Sequence, residues 1–221
     1  MKIKQLAKGC RIISGDESFE RRYVIKECFR SAELAGFEEL VLPCIEPSDI
    51  YTDRAGPEIL GQMYTFKDRS DRSLCLRPEG TATCQLIAQS TTRKDIKVYY
   101  EIRCWRYEQP QAGRYREFTQ FGVEWLNPRD FAEASNWVEG LAKGLIIGLV
   151  PDAEWSAGVK RGLAYYSADG FEAKCGRLGA QKQILGGGPY AEGVGFAIGI
   201  DRVVIARLQK DNNGGTTQNK E

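Results

Sequence analysis

The chain has 221 residues, enough to bury a full core as one domain. Its 31 lysines and arginines against 30 aspartates and glutamates give a net charge of +1, which does not imply strong non-specific binding to nucleic acid but leaves room for a local basic site. It contains no histidine, which excludes Ser–His, Cys–His and histidine–metal chemistry, so any catalysis must rest on carboxylates, arginines, backbone groups or a metal from outside.

Helical spacing of Phe19, Tyr23, Ile25, Cys28, Phe29 and Leu34 predicts a helix from Asp16 to Ala35, with Asp16 as N-cap and Gly36 as the stop. The run F-E-E-L-V-L-P reads as a strand ending at Pro43. Gln62–Phe66 and Ser73–Arg77 read as short strands separated by the polar turn K-D-R-S-D-R. A helix over Thr81–Ser90 opens directly after R-P-E-G. Ile96–Tyr107 and Tyr115–Leu126 alternate as the two strands of a hairpin, and Asp130–Leu149 is a long amphipathic helix with Asp130 and Glu133 in its first turn. Beyond Pro151, strands are expected near Leu163–Lys174 and Gln181–Leu185, then an apolar, glycine-spaced helix over Val194–Leu208. Residues 1–209 are expected as one domain and the polar stretch 210–221 as a disordered tail. Strands that look antiparallel, interrupted by a few helices, point to an α+β fold and not to a βαβ repeat.

Seven cysteines stand singly, at 10, 28, 44, 75, 84, 104 and 175, with no C-x-x-C pair, so neither a zinc site nor a disulfide framework is expected. No apolar run reaches the length of a membrane span and the first residues have no apolar signal core, so a reduced, cytoplasmic protein is expected.

The hairpin W-R-Y-E-Q-P-Q-A-G-R-Y-R-E-F-T-Q-F-G-V-E, over residues 105–124, carries the most chemistry. Arg106 and Glu108 stand two apart and share a face; Phe118, Gln120, Gly122 and Glu124 share a face on the returning strand. A guanidinium neutralises phosphate, a carboxylate accepts from an exocyclic amine and a ring stacks on a base. An amphipathic hairpin with solvated charges is the alternative that this segment alone leaves open.

Four segments in one order resemble the class II aminoacyl-tRNA synthetase core, specifically the histidyl-tRNA synthetase family. They are G-F-E-E-L-V-L-P (motif 1); M-Y-T-F-K-D-R with L-R-P-E-G-T-A (the amino-acid loop); the hairpin (motif 2); and R-G-L-A-Y-Y with G-F-A-I-G-I-D-R (the histidine-binding peptide and motif 3). The resemblance spans about residues 10–208. It implies the class II fold, a mainly antiparallel sheet flanked by helices, and an enzyme that activates histidine with ATP and Mg2+, then passes it to a tRNA acceptor end or another acceptor.

The resemblance also implies roles for individual residues. Arg106 would hold the α-phosphate and the substrate carboxylate, Glu108 would accept from the adenine amine and Arg114 would contact the γ-phosphate. Phe118 would stack on adenine, with Arg202 on its other face or near the γ-phosphate. Arg161 would sit at the α-phosphate, where other class II enzymes use a metal; no protein-bound metal is implied. Glu79, Thr81 and Gln120 would grip the α-amino group, Glu124 and Tyr166 would face the imidazole, and Tyr165 would support the pocket wall. Gly186–Gly188 would let backbone approach the substrate. A homodimer through the motif 1 region is implied as well. The reaction suits a chain without histidine, because the attacking carboxylate is already ionised at neutral pH and needs no general base.

The chain departs from the family pattern in several places. Ala164 stands where aspartate is usual, Tyr107 and Thr119 where histidine is common, and Gln109 where the motif 2 loop carries arginine. Only 36 residues separate Glu124 from Arg161, too few for the insertion domain that clasps the acceptor stem, and the anticodon-binding domain is expected to be absent. The runner-up is therefore a catalytically silent histidine-binding module, like the paralogue that regulates ATP phosphoribosyltransferase. Retention of Arg106, Glu108, Arg161 and Arg202 favours the enzyme, since a histidine sensor has no use for an ATP clamp.

Overall fold

A computed structural model describes residues 6–52, 59–160, 166, 167, 169–179 and 181–214, the last five as backbone only. In chain order the elements are α1 (Gly15–Leu34), β1 (Glu38–Glu39), β2 (Ile45–Pro47), α2 (Asp49–Thr52), β3 (Tyr64–Lys67), β4 (Ser73–Leu76), α3 (Thr81–Gln89), β5 (Ile96–Trp105), β6 (Glu117–Leu126), α4 (Phe131–Leu149), β7 (Glu154–Val159), β8 (Gly170–Lys174), β9 (Gln183–Tyr190), β10 (Gly193–Gly199) and α5 (Ile200–Gly214). Seven strands form one sheet in the order β1-β5-β6-β10-β9-β8-β7, and β2-β4-β3 form a small second sheet. Only the β1–β5 pair is parallel; the other pairs of the large sheet are antiparallel, so the fold is α+β as expected.

The strand alternation separates two cores. Tyr99 on β5, Phe121, Val123 and Trp125 on β6, and Val194, Phe196 and Ile198 on β10 pack with α1, α4 and α5. Val98, Tyr100, Ile102 and Cys104 on β5, with Leu126 and Tyr190, pack with Cys84 and Ala88 of α3. The first face is filled with large side chains. On the second, Ala197 and Gly199 of β10 and Gly186 of β9 line a cavity that their lack of side-chain volume leaves open, whereas the space beside Gly195 is taken by the Glu124 carboxylate.

Helix α1 forms where the spacing predicts, but Asp16 is not its N-cap. Ser14 holds that position without a side-chain bond, and Asp16 lies in the first turn, where its charge favours the helix dipole. The buried stripe is Val24, Cys28 and Ala32, whereas Phe19 and Leu34, expected inside, are 66% and 77% exposed. Helix α1 packs against α5. Arg22 lies over the Phe19 ring at 5.3 Å and Arg207 over Tyr23 at 4.8 Å, so guanidiniums partly cover the displaced aromatics.

The strand expected up to Pro43 pairs only at Glu38 and Glu39, with one further bond from Leu40 N to Tyr99 O (2.8 Å). Beyond it the buried Arg77 guanidinium donates to the carbonyls of Leu42 (2.9 Å) and Pro43 (2.5 Å), so a side chain satisfies backbone that a ladder would otherwise serve. Strand β7 was not expected; it pairs with β8 through an irregularity at Ala157/Val159, where Gly158 has φ +68°. Strand β9 runs through the whole G-G-G-P stretch, past the expected end at Leu185.

The largest correction concerns Val194–Leu208. Residues 193–199 are strand β10, and the helix begins only at Ile200. The segment G-V-G-F-A-I-G alternates small and large side chains with period two, which a paired strand uses to separate its faces and a helix cannot. Helix α5 continues to Gly214, beyond the boundary expected at residue 209.

Candidate active site

The cavity between the hairpin, α3, β9, β10 and the start of α5 has a volume of about 310 Å³. Glu79, Thr81, Arg106, Glu108, Arg114, Phe118, Gln120, Tyr166 and Arg202 all line it, so nine side chains expected to share a site do so. Arg161 and Tyr165 lie outside the described residues, as does Ala164.

Each of these side chains is held by the element that carries it. Glu79 precedes α3 and its carboxylate accepts from Thr81 N (2.6 Å) and Ala82 N (2.9 Å), taking the role of a cap that Gly80 has no side chain to fill. Each carboxylate oxygen has a second acceptor site, so these bonds leave capacity for an ammonium group. Gln120 projects from β6 over Cys104, which donates its thiol to Gln120 Oε1 at 3.2 Å. Arg106 leaves the end of β5, where its Nε donates to Pro78 O (2.9 Å) and its guanidinium lies 5.3 Å from the Phe118 ring centre.

Arg202 sits in the first turn of α5, a position the strand–helix junction at residue 200 dictates. Its Nε donates to Gly113 O (2.7 Å) and its Nη1 to Gln183 O (2.9 Å), tying the hairpin loop to β9. Burial first, then the charges of Arg106 and Arg114, push the Arg202 guanidinium below its ordinary pKa. Three cations thus converge on one wall with Glu108 paired to Arg114 as a partial counter-charge. Such a cluster is electrostatically unfavourable alone and favourable around a polyanion.

Glu124 is placed differently from the other expected side chains. It does not line the cavity but is buried beneath it, 1% exposed, accepting from Thr81 Oγ1 (2.8 Å), Tyr100 Oη (3.1 Å) and Tyr190 Oη (2.8 Å). Its link to the cavity runs through Thr81. Gly122 makes room for the Tyr100 ring that crosses under the floor, and a Cβ at Gly195 would strike the Glu124 carboxylate itself. Tyr100 and Tyr190 are partners that the sequence reading did not single out; the period-two pattern places Tyr100 on the same sheet face as Ile102 and Cys104, the one usable signal. Asp201, Thr119 and Tyr115 also line the cavity without having been expected there.

Burial pushes the Glu124 pKa from 4.5 up to about 7, against the opposing hydrogen bonds from the three hydroxyls. Because the folded value lies above the unfolded one, the fold favours the protonated carboxyl. This contribution is complete below about pH 4.5 and is lost as the pH rises through 7. Between pH 5 and pH 8 the loss is about 2 kcal/mol, or about 5 °C in Tm for a domain of this size. Glu124→Gln should therefore show a flatter Tm–pH profile over that range. Parallel profiles for the two proteins would contradict an ionising Glu124.

Comparison with known proteins identifies relatives of the chain. A family model described as histidyl-tRNA synthetase matches residues 13–154. The chain is 28% identical to the histidine–tRNA ligase of Methanospirillum hungatei JF-1, over 91% of the chain and 75% of that enzyme. That alignment runs over 306 residues, more than the 221 of the whole chain, so stretches of the enzyme have no counterpart here. It is 40% identical to the histidine–tRNA ligase of Archaeoglobus fulgidus over 59% of the chain, which spans 32% of that relative's length. Among solved structures, the histidine–tRNA ligase subunit of Alicyclobacillus acidocaldarius superposes with a TM-score of 0.81 at 16% identity, over 96% of this chain and 99% of that one. The α+β architecture, the convergence of motif residues on one cavity and the match across residues 13–154 lead to one conclusion: the chain belongs to the histidyl-tRNA synthetase family.

Proposed function

We propose that the chain activates histidine with ATP to histidyl-adenylate and transfers the histidyl group to the acceptor end of a tRNA. The substrate carboxylate attacks the α-phosphorus, the bond from that phosphorus to the bridging oxygen breaks, and pyrophosphate leaves with the charge. Positioning and charge neutralisation supply the catalysis. Arg106 would bind the α-phosphate and carboxylate, joined there by Arg161, while Arg114 and Arg202 serve the outer phosphates. Phe118 would stack on the adenine and Glu108 would accept from its amine, exchanging part of its pairing with Arg114. Glu79, Thr81 and Gln120 would hold the α-amino group. Tyr166 would face the imidazole with Tyr165 behind it, and Glu124 would act on that end of the substrate. Mg2+ would arrive with the triphosphate as part of the substrate.

The observation that carries this reading is the single cavity in which Arg106, Arg114 and Arg202 face Glu79, Thr81 and Gln120. Cations for a triphosphate and a polar cup for an amino acid line the same cavity, which is what adenylate formation needs. A homodimer through the motif 1 region would cover exposed apolar side chains. Leu34, Val41 and Ile45, beside and within the motif 1 segment, are apolar and 77%, 85% and 52% exposed, side chains that a second copy would cover.

ATP–pyrophosphate exchange with each of the twenty amino acids tests the activity, and a search for aminoacylated RNA follows. Exchange supported by histidine and by no other amino acid is expected. Histidine binding with no exchange would instead assign the chain to the silent, regulatory kind.

A further inference from the structure

Arg11 lies outside the cavity, in the segment before α1. Its Nη2 donates to Asp201 Oδ1 at 2.6 Å, its Nη1 pairs with Glu17 of α1, and its guanidinium covers the Tyr115 ring at 4.3 Å. The second Asp201 oxygen, Oδ2, accepts from Thr119 N at 2.7 Å. The segment is fastened beside this contact, since Gly9 O accepts from Arg116 N at 2.9 Å and Gly9 has φ +82°, packed where a Cβ would meet the Arg116 side chain.

Asp201 is 6% exposed, lines the cavity and precedes Arg202 in the chain, so it is a buried anion beside the cluster that would receive a triphosphate. Left uncompensated, such a carboxylate either repels the phosphates or takes a neighbouring arginine for itself. Among the charges acting on Arg202, that of Asp201 opposes those of Arg106 and Arg114. The short Arg11 contact and the Thr119 amide each engage one Asp201 oxygen, and the Arg11 guanidinium also offsets its charge. Glu17, the other partner of Arg11, is more exposed and is screened by solvent.

The geometry points to Arg11 as a positioning residue for the nucleotide end of the site: by holding Asp201 it keeps a buried carboxylate from competing with ATP for Arg202. Arg11 does not touch substrate. This inference rests on the ATP-dependent reading above and deepens it.

The test is ATP binding by calorimetry at pH 8 without amino acid, together with exchange kinetics, on wild type and on Arg11→Ala, Arg11→Lys and Arg11→Ala/Asp201→Asn. Arg11→Ala should weaken ATP binding and raise KM for ATP about tenfold, the factor Coulomb's law gives for a unit charge in a partly solvated site. KM for histidine should change less than about twofold by the same charge-distance argument. Arg11→Lys should keep most of the affinity, and the double variant should recover it, because its amide still accepts from Thr119 N but carries no charge. Equal losses for both substrates, or no recovery in the double variant, would overturn the inference and leave Arg11 a plain structural tie. ATP binding without exchange would refute only the catalytic reading, whereas no ATP binding to wild type would refute both.

Discussion

Arg106→Ala is expected to lower histidine-dependent exchange by about 10²- to 10³-fold, the range for removing one preorganised donor from a developing charge. Arg106 is oriented before any ligand arrives, by the Pro78 carbonyl at 2.9 Å and by the Phe118 ring at 5.3 Å. A donor that needs no reorganisation contributes most in the transition state. The fold should survive, because the variant gives up one side-chain bond worth about 1 kcal/mol, a few degrees in Tm. Arg106→Lys keeps the charge but not the planar fork, and should recover only part of the rate. Exchange within about threefold of wild type in a folded Arg106→Ala protein would remove Arg106 from the reaction, since a donor of this kind is worth far more than that.

Gly187→Ala should be strongly destabilising, by about 3 kcal/mol, at the top of the range for overpacking. A Cβ at Gly187 would lie 2.5 Å from Gly195 O and 2.6 Å from both Phe171 Cε2 and Phe196 Cβ. Backbone on β10 cannot retreat without breaking the β9–β10 ladder, so the strain has no flexible side chain to relax it. Thermal unfolding should fall by about 10 °C. Gly144→Ala on α4 is the control of opposite sign: its Cβ meets nothing within 4 Å, and alanine in a helix interior gains about 1 kcal/mol over glycine. Equal melting temperatures for the two variants would show that packing at Gly187 is looser than the contacts imply.

The same glycines show how far the chain could be read directly. Gly186–Gly188 were expected to let backbone approach the substrate. Instead Gly186 lines the cavity while Gly187 turns to the other face against Phe171 and Phe196, because a strand alternates its sides. The helix expected over Val194–Leu208 failed for a related reason. An apolar, glycine-rich run suits either a helix or a buried strand, and only pairing with β6 and β9 selects the strand. That choice moves the helix start to Ile200 and places Arg202 at the cavity.

Local pattern determined the hairpin, α3 and α4, composition excluded histidine chemistry, and the resemblance to the family named nine of the side chains that meet in the cavity. The elements follow from nearest-neighbour sterics and side-chain periodicity, and the site residues from motifs recognised in order along the chain. The tertiary structure alone decided that Glu124 lies beneath the cavity floor and not on its surface, that Tyr100 and Tyr190 hold it there, and that Arg11 reaches Asp201 across 190 positions of chain. Burial and charge pairing between distant segments depend on which faces come together, and side-chain order along one strand or helix does not encode that.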